Sequence, residues 1–376
     1  MRYCCKCVQP DTRPGIKFDE DEMCPACRFA EQESSIDWEA RKQELEKIVE
    51  YGSKNNISGY ECIIGVSGGK DSVRQAMFAK EELGLNPLLV CCASSPEQIT
   101  GLGTENMSNL IELGFDVVTY SPAPETWKRL IRQSFLREGN LLKSTEMALY
   151  ASAPKMAIAY QIPLVFLGEN PAITVGCLDV GSTNGDASRM KNSNTIRSGP
   201  DILLEDGIGE KNIIMYRYPS DDEMELAKLK IVYLGYYIRG FAKRTNADFS
   251  IKNGMKVRHD PPEDLGDITG HEALDDDFQI INQMLKYLKL GFGKVTDQVC
   301  EEMRLGKMTR SEAIEMVSLY DGNCADRYIK RFCNYIGISE EQFWEVANSF
   351  RNTEIWETDN RGIWKHKYPV ESLINE

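Results

Sequence analysis

The chain is short of the features that mark export, membrane spanning and nucleic-acid binding. No run approaches the roughly 18 consecutive apolar residues of a membrane-spanning helix, and the opening MRYCCKCVQP lacks the apolar stretch of a signal peptide. Both absences lead us to expect a cytoplasmic protein with no membrane partner. Basic charge is scarce: 44 Lys and Arg stand against 58 Asp and Glu, a net charge of -14. That sign repels a phosphate backbone, so nucleic acid is not the expected partner. Histidine is scarcer still, with only His259, His271 and His366. None lies near a G-x-C-x-G nucleophile elbow, and residue 2 is Arg2, not a cysteine nucleophile. The chain therefore carries no evident glutaminase, and no histidine is assigned a catalytic role. Internal repeats are also lacking.

Cysteine, by contrast, is plentiful, at 12 residues. Without an export signal the thiols are expected to be reduced, so clusters among them point to metal before disulfide. Cys4-x-x-Cys7 and Cys24-x-x-Cys27 form a doubled C-x-x-C pattern separated by 16 residues. Four thiolates close a tetrahedral site, which implies structural Zn2+. Redox dithiols and an iron-sulfur centre are the alternatives, and Cys5 is a spare ligand in the first pair.

The composition changes along the chain. Residues 1–35 read as a zinc-binding appendage and 36–58 as a charged helical connector. From 59 to 250, short apolar runs alternate with amphipathic windows: ECIIGVS, VRQAMFAKEELG, NPLLVCCAS, TENMSNLIELG, FDVVTY and IPLVFLGEN. This alternation predicts an α/β fold, a doubly wound parallel sheet. Within it, residues 170–222 are polar and Gly/Ser/Asn-rich, which reads as a long loop beside the strand ends. Residues 251–376 read as mainly helical. Ser220 with Glu223, Thr309 with Glu312 and Ser339 with Gln342 have the spacing of capping boxes.

The segment Ser67-Gly68-Gly69-Lys70-Asp71-Ser72 follows a predicted strand and precedes a helix expected to start at Val73. Glycines admit close backbone approach, and a helix N-terminus presents free N–H groups to an anion. The segment is one residue short of a Walker loop, and Asp71 follows Lys70 where that loop has a hydroxyl. Glu169 and Asn170 stand just past another strand, where open parallel sheets bind ligands.

SGGKDS after a strand resembles the PP-loop of the ATP pyrophosphatases, enzymes that cleave ATP between the α and β phosphates. The resemblance implies that Ser67, Gly68, Gly69, Lys70 and Ser72 bind the β and γ phosphates of ATP. It also implies that Lys70, Asp71 and Glu169 are catalytic, with Asp71 and Glu169 holding Mg2+. Together with the CxxC pairs, GENP and LKYLKLGFGKVTDQVCEEMRLGKMTRSEAIEMVSLYDG, the whole chain resembles the bacterial N-acetyl sugar amidotransferases of surface-polysaccharide and flagellin-sugar biosynthesis. That likeness implies conversion of an acetamido to an acetamidino group on a free or nucleotide-linked N-acetyl sugar. It also implies separate glutaminase and ammonia-channel subunits similar to those of histidine biosynthesis. By the same resemblance Arg304, Lys307 and Arg310 are candidates for binding an anion. The chain departs from the family in PAITVGC after GEN and in Ile238-Arg239 after LGYY, which bears on the identity of the sugar. Two other readings stand beside this one: a tRNA thiolase or lysidine-type ligase, with Cys91, Cys92 and Cys177 as the thiols available, and a non-catalytic zinc-bearing assembly module.

Overall fold

A computed structural model describes residues 1–177, 183–193, 196–205 and 207–375. Part of the polar segment 170–222 therefore lies outside the described residues.

Five parallel strands form the central sheet: β1 (Cys62–Val66), β2 (Pro87–Cys92), β3 (Val117–Tyr120), β4 (Leu164–Leu167) and β5 (Lys230–Tyr233), in the order β3-β2-β1-β4-β5. Strands buried on both faces read as continuous apolar runs, and CIIGV and PLLVCC do so. Alternate residues serve opposite layers. Cys62, Ile64 and Val66 join one core with Leu45 and Ile48 of α2 (Trp38–Asn55), with Val73 of α3 (Lys70–Met77) and with Leu110 of α4 (Gly101–Glu112). Ile63, Leu88 and Val165 face the other way, onto Ala153 and Ala157 of α6 (Lys143–Tyr160). The sheet is doubly wound, as the alternation predicts.

A second core lies beside the sheet. It joins α5 (Pro124–Glu138) and α6 to α11 (Phe278–Leu290), α14 (Asp326–Ile336) and α15 (Glu340–Ser349). Phe135, Phe278, Phe332 and Phe343 are its ring cluster, with Phe135 stacked on Phe343 at 5.1 Å between centroids. The described part of the polar segment contributes Ile196, Leu203, Ile208, Ile213 and Tyr216 to this core through a series of 3-10 turns. Its polar residues stay outside while every few positions an apolar side chain anchors it.

The cysteine-bearing segment, with α1 (Pro25–Gln32), packs on the C-terminal helices α12 (Lys294–Arg304) and α13 (Arg310–Tyr320): Cys4, Cys7, Cys24 and Cys27 share one cluster with Val295, Val299, Ala313 and Ile314. The C-terminal region is mainly helical from Phe278 onward, with an antiparallel pair β6 (Trp356–Thr358) and β7 (Trp364–His366), whereas residues 253–277 are irregular apart from one short helical turn. All three capping boxes form, at Ser220, Thr309 and Ser339. The start of α12 is capped differently. Gly293 has no side chain to offer, and the buried Asp321 carboxylate accepts from Gly293 N (2.7 Å), Val295 N (2.9 Å) and Thr296 Oγ1 (2.7 Å). GFGK and YDG interlock in this way. Among the described residues no helix is long and apolar enough to cross a membrane.

Candidate active site

The sheet order reverses between β1 and β4. In open α/β sheets the crevice outside such a switch point is where ligands bind. Ser67–Ser72 leaves β1 at this place, and Glu169 leaves β4 beside it.

The helix after β1 begins at Lys70, three residues earlier than the sequence predicts. The glycine pair is its lead-in and Gly69 its N-cap, without a side-chain cap bond. The first-turn N–H groups of α3 therefore keep no side-chain partner from the cap residue, the condition under which a helix end attracts an anion. Gly68 sits at φ 80°, and a Cβ there would lie 2.9 Å from the backbone carbon of Asn106 in α4. Only glycine fits. Ser72 Oγ accepts from Ser67 N at 3.0 Å and ties the loop to the helix it precedes.

Lys70 is buried, and its Nζ lies 2.9 Å from Asp71 Oδ2. Asn246 Nδ2 donates to Asp71 Oδ1 at 2.7 Å, and Ser250 Oγ donates to Lys70 O at 2.6 Å. Both partners come from α9 (Lys243–Lys252), which lies against α3. Lys243, at the start of α9, pairs with Glu272 at 3.0 Å, and its backbone N–H donates to Glu301 at 2.6 Å. A cavity of about 210 Å³ is enclosed by the loop and by His271, Glu272 and Asp275. His271 Nε2 is buried there with no hydrogen-bond partner among the described residues.

Opposing charges set the ionisation of this site. Burial alone would pull Lys70 down, but Asp71 and Glu272 outweigh it and hold the ammonium above the ordinary lysine range. Burial would raise Glu272, yet Lys243 and Lys70 hold it well below the usual carboxylate range. Burial, with Lys70 and Lys243 adding to it against Glu272 and Asp267, lowers His271. Glu169 goes the other way: burial and Asp71 push its carboxyl up to about 7 against the pull of Lys243 and Lys70. Its side chain makes no hydrogen bond or ion pair among the described residues. Asn170, next to it, caps α7 (Pro171–Thr174) through Ala172 N at 2.9 Å.

A second cavity, about 420 Å³, opens on the far side of α7, between the appendage, α6 and α11. Arg13, Glu146, Tyr150, Cys177, Lys286 and Lys289 are among its walls. Its volume falls within the range of small-molecule sites.

The four cysteines come together as the spacing predicts. Their Sγ atoms lie within 4.8 Å of one another, with Cys7 and Cys24 at 3.8 Å. A tetrahedron with metal–sulfur distances of about 2.3 Å has edges of about 3.8 Å, so the set fits one zinc ion. Backbone N–H groups of Gln9, Cys24 and Cys27 donate to the sulfurs of Cys7, Cys4 and Cys24. Cys5 is exposed and outside the set.

Arg304 and Arg310, read from the sequence as candidates for binding an anion, turn inward to the cluster. Arg310 Nη1 donates to the carbonyls of Cys4, Cys5 and Cys7 at 3.0, 3.0 and 2.9 Å. Arg304 donates to Thr174 O in α7 at 2.9 Å and lines a small cavity together with Cys7 and Cys27. Lys307 is exposed.

Residues 267–369 match the family described as the C-terminal domain of WbpG-like LPS biosynthesis proteins. This segment is similar to that domain. The match supports the sugar amidotransferase resemblance carried by the sequence. The matched segment supplies His271 and Glu272 to the loop cavity, Lys286 and Lys289 to the larger one, and Arg310 to the cysteine-bearing loop. Two further proteins are similar to the chain. An uncharacterized protein of Methanocaldococcus jannaschii is 35% identical over 88 residues, 23% of this chain and 31% of that protein, so the chain spans about a third of the length of this curated relative. An NH3-dependent NAD synthetase from Campylobacter jejuni, solved with a nitrate ion, aligns over 60% of this chain and 100% of its own, at 15% identity and a TM-score of 0.29.

Sequence reasoning missed Lys243, Asn246, Glu272 and His271. One signal was available: Lys243, Asn246 and Ser250 recur at helical spacing as polar residues on the face of α9 toward α3, where an ordinary amphipathic helix is apolar.

Proposed function

We propose that the protein is an ATP-dependent amidotransferase that adenylates the acetamido oxygen of a free or nucleotide-linked N-acetyl sugar and lets ammonia displace AMP. The observation that carries this reading is the SGGKDS turn at the sheet's switch point, opening an uncapped helix against a buried lysine and two carboxylates. The WbpG-like domain, of a family described by LPS biosynthesis, supports a sugar as the acceptor.

An amide oxygen is a poor leaving group until it is esterified to AMP. The free N–H groups of α3, the Ser67 and Ser72 hydroxyls and Lys70 bind the β and γ phosphates and stabilise pyrophosphate as it departs. Lys70 exchanges Asp71 for phosphate when ATP enters. Asp71 and Glu169 fit Mg2+, because Glu169 is unpartnered and adjacent in charge to Asp71; the ion would neutralise phosphate charge. Glu272 and Lys243 hold Lys70 in register from the other side. The acceptor occupies the 420 Å³ cavity, where Arg13 and Lys286 are both paired to Asp297 and Lys289 donates to Glu138 O. Structural Zn2+ on Cys4, Cys7, Cys24 and Cys27 fixes the appendage that forms one wall. Ammonia comes from a partner glutaminase through a channel subunit, because no glutaminase elbow accompanies the cysteines of this chain.

The test combines the protein with ATP, Mg2+, ammonium and UDP- or CMP-linked acetamido sugars. AMP, pyrophosphate and a product in which NH replaces O support the proposal. ADP formation, or modification of tRNA in place of sugar, refutes it.

A further inference from the structure

Glu169 borders a third and much narrower space, about 70 Å³, on the side away from the phosphate loop. Its walls include Phe29, Ile36, Trp38, Ile173, Tyr236 and Phe241, apolar and mostly aromatic. At about 70 Å³ the space is well below the roughly 300 Å³ at which small-molecule sites begin, and it holds a few molecules the size of water.

The outer end is built by the connector. The Arg41 guanidinium lies 3.6 Å over the Tyr236 ring and 4.9 Å from that of Trp38, and its Nη1 donates to Tyr236 O at 2.7 Å. Glu33, exposed, lines the same space. One fixed cation and one anion leave the opening with no net attraction for ammonium. The inner end is Glu169, whose carboxylate has no partner among the described residues. Glu169 lines the narrow space and feels the Asp71 charge of the phosphate loop, while α7 stands between the narrow space, through Ile173 and Thr174, and the large cavity, through Pro171.

We propose that the narrow space bounded by Trp38, Ile173, Tyr236 and Glu169 is the port through which ammonia reaches the adenylated acceptor. The inference rests on the amidotransferase reading above. Apolar walls pass neutral ammonia and exclude ions, and the Glu169 carboxylate accepts an N–H that orients the lone pair toward the acceptor carbon. The nitrogen lone pair forms the C–N bond. Adenylation of the amide oxygen leaves the acceptor as a protonated imidate; after attack its C–O bond breaks, with the electron pair leaving on AMP, and the nitrogen gives one proton to solvent as AMP departs, so the product is an amidinium. The port mouth at Trp38 and Arg41 is accordingly where the ammonia-delivering subunit docks.

Two substitutions fill the space from opposite walls, Ile173→Trp on α7 and Ile36→Trp ahead of α2, with melting temperatures checking the fold. Both are expected to raise the KM for ammonium by about tenfold or more while the KM for ATP changes less than about twofold. Acetamido-sugar-dependent exchange of labelled pyrophosphate into ATP, which needs no ammonia, is measured alongside. Exchange with an unchanged ammonium KM in both folded variants overturns the port alone. Absence of exchange in the unsubstituted protein with every acetamido sugar overturns the amidotransferase reading, and the port with it.

Discussion

The two loop glycines are adjacent in sequence and opposite in what they tolerate. An alanine at position 68 must hold φ near 80° and place its Cβ 2.9 Å from Asn106 C and 3.0 Å from Met107 N, both backbone atoms of α4. The left-handed conformation costs about 1–2 kcal/mol for an L-residue, and pushing a packed backbone aside costs roughly another 1–3 kcal/mol. Gly68→Ala is therefore expected to lower stability by about 2–5 kcal/mol. Gly69 has φ -76°, and its Cβ would meet only Ser67 Oγ at 3.6 Å, an ordinary contact. Gly69→Ala should stay within about 0.5 kcal/mol of the parent, as substitutions away from strain do. Its methyl group borders the loop cavity, so ATP binding should weaken all the same. Urea denaturation gives the stabilities and titration calorimetry gives the ATP affinity. Equal stability losses at both positions, or full ATP affinity in Gly69→Ala, would refute the reasoning.

Glu169→Gln tests the raised carboxyl. A group with its folded pKa near 7 and an unfolded value near 4.5 binds more protons when folded, so its contribution to stability is lost as pH rises between those values. In EDTA, Glu169→Gln should gain in melting temperature relative to the parent from pH 5 to pH 8; a difference that is flat with pH excludes the shift. Arg310→Met keeps the stem and removes the donor to three knuckle carbonyls. A loss of about 1.5–3 kcal/mol is expected, or about 10- to 100-fold weaker zinc retention in competition with a chromogenic chelator. Unchanged retention would show that the clamp is idle. Asp321→Asn turns an amide donor toward the N–H groups that begin α12, at a cost of about 1–3 kcal/mol in urea denaturation.

How far the sequence revealed the molecule depended on the range of the signal. Apolar runs bounded by turns are local, so β1 to β4 and their helices were legible, as were the capping boxes. The cysteine pairs were legible because ligand geometry constrains spacing directly. The start of α3 was misplaced because Gly-Gly-Lys-Asp reads as a turn, while the loop is itself the first helical turn. Lys243, His271 and Glu272 lie 170 or more residues from the loop they face, and only the fold brings them together. Arg304 and Arg310 carried a sequence signal with the wrong meaning: charge in EEMRLGKMTR suggests solvent or a ligand, whereas the carbonyls they serve belong to residues 4–7 and 174.

The Arg310 clamp also imposes an order on how the protein comes into being. In synthesis order the four cysteines precede by roughly 280 residues the arginine that grips their loop, an interval of about 15–60 s at 5–20 residues per second. Throughout that interval the nascent knuckle has thiols but neither its clamp nor the apolar bed of α12 and α13. A metal held there would be exchangeable, and the sulfurs open to oxidation, until α12 and α13 are made. Tight retention of zinc would require α12 and α13 to fold back, so a ribosome stalled before residue 310 is expected to hold a knuckle that a chelator can still strip.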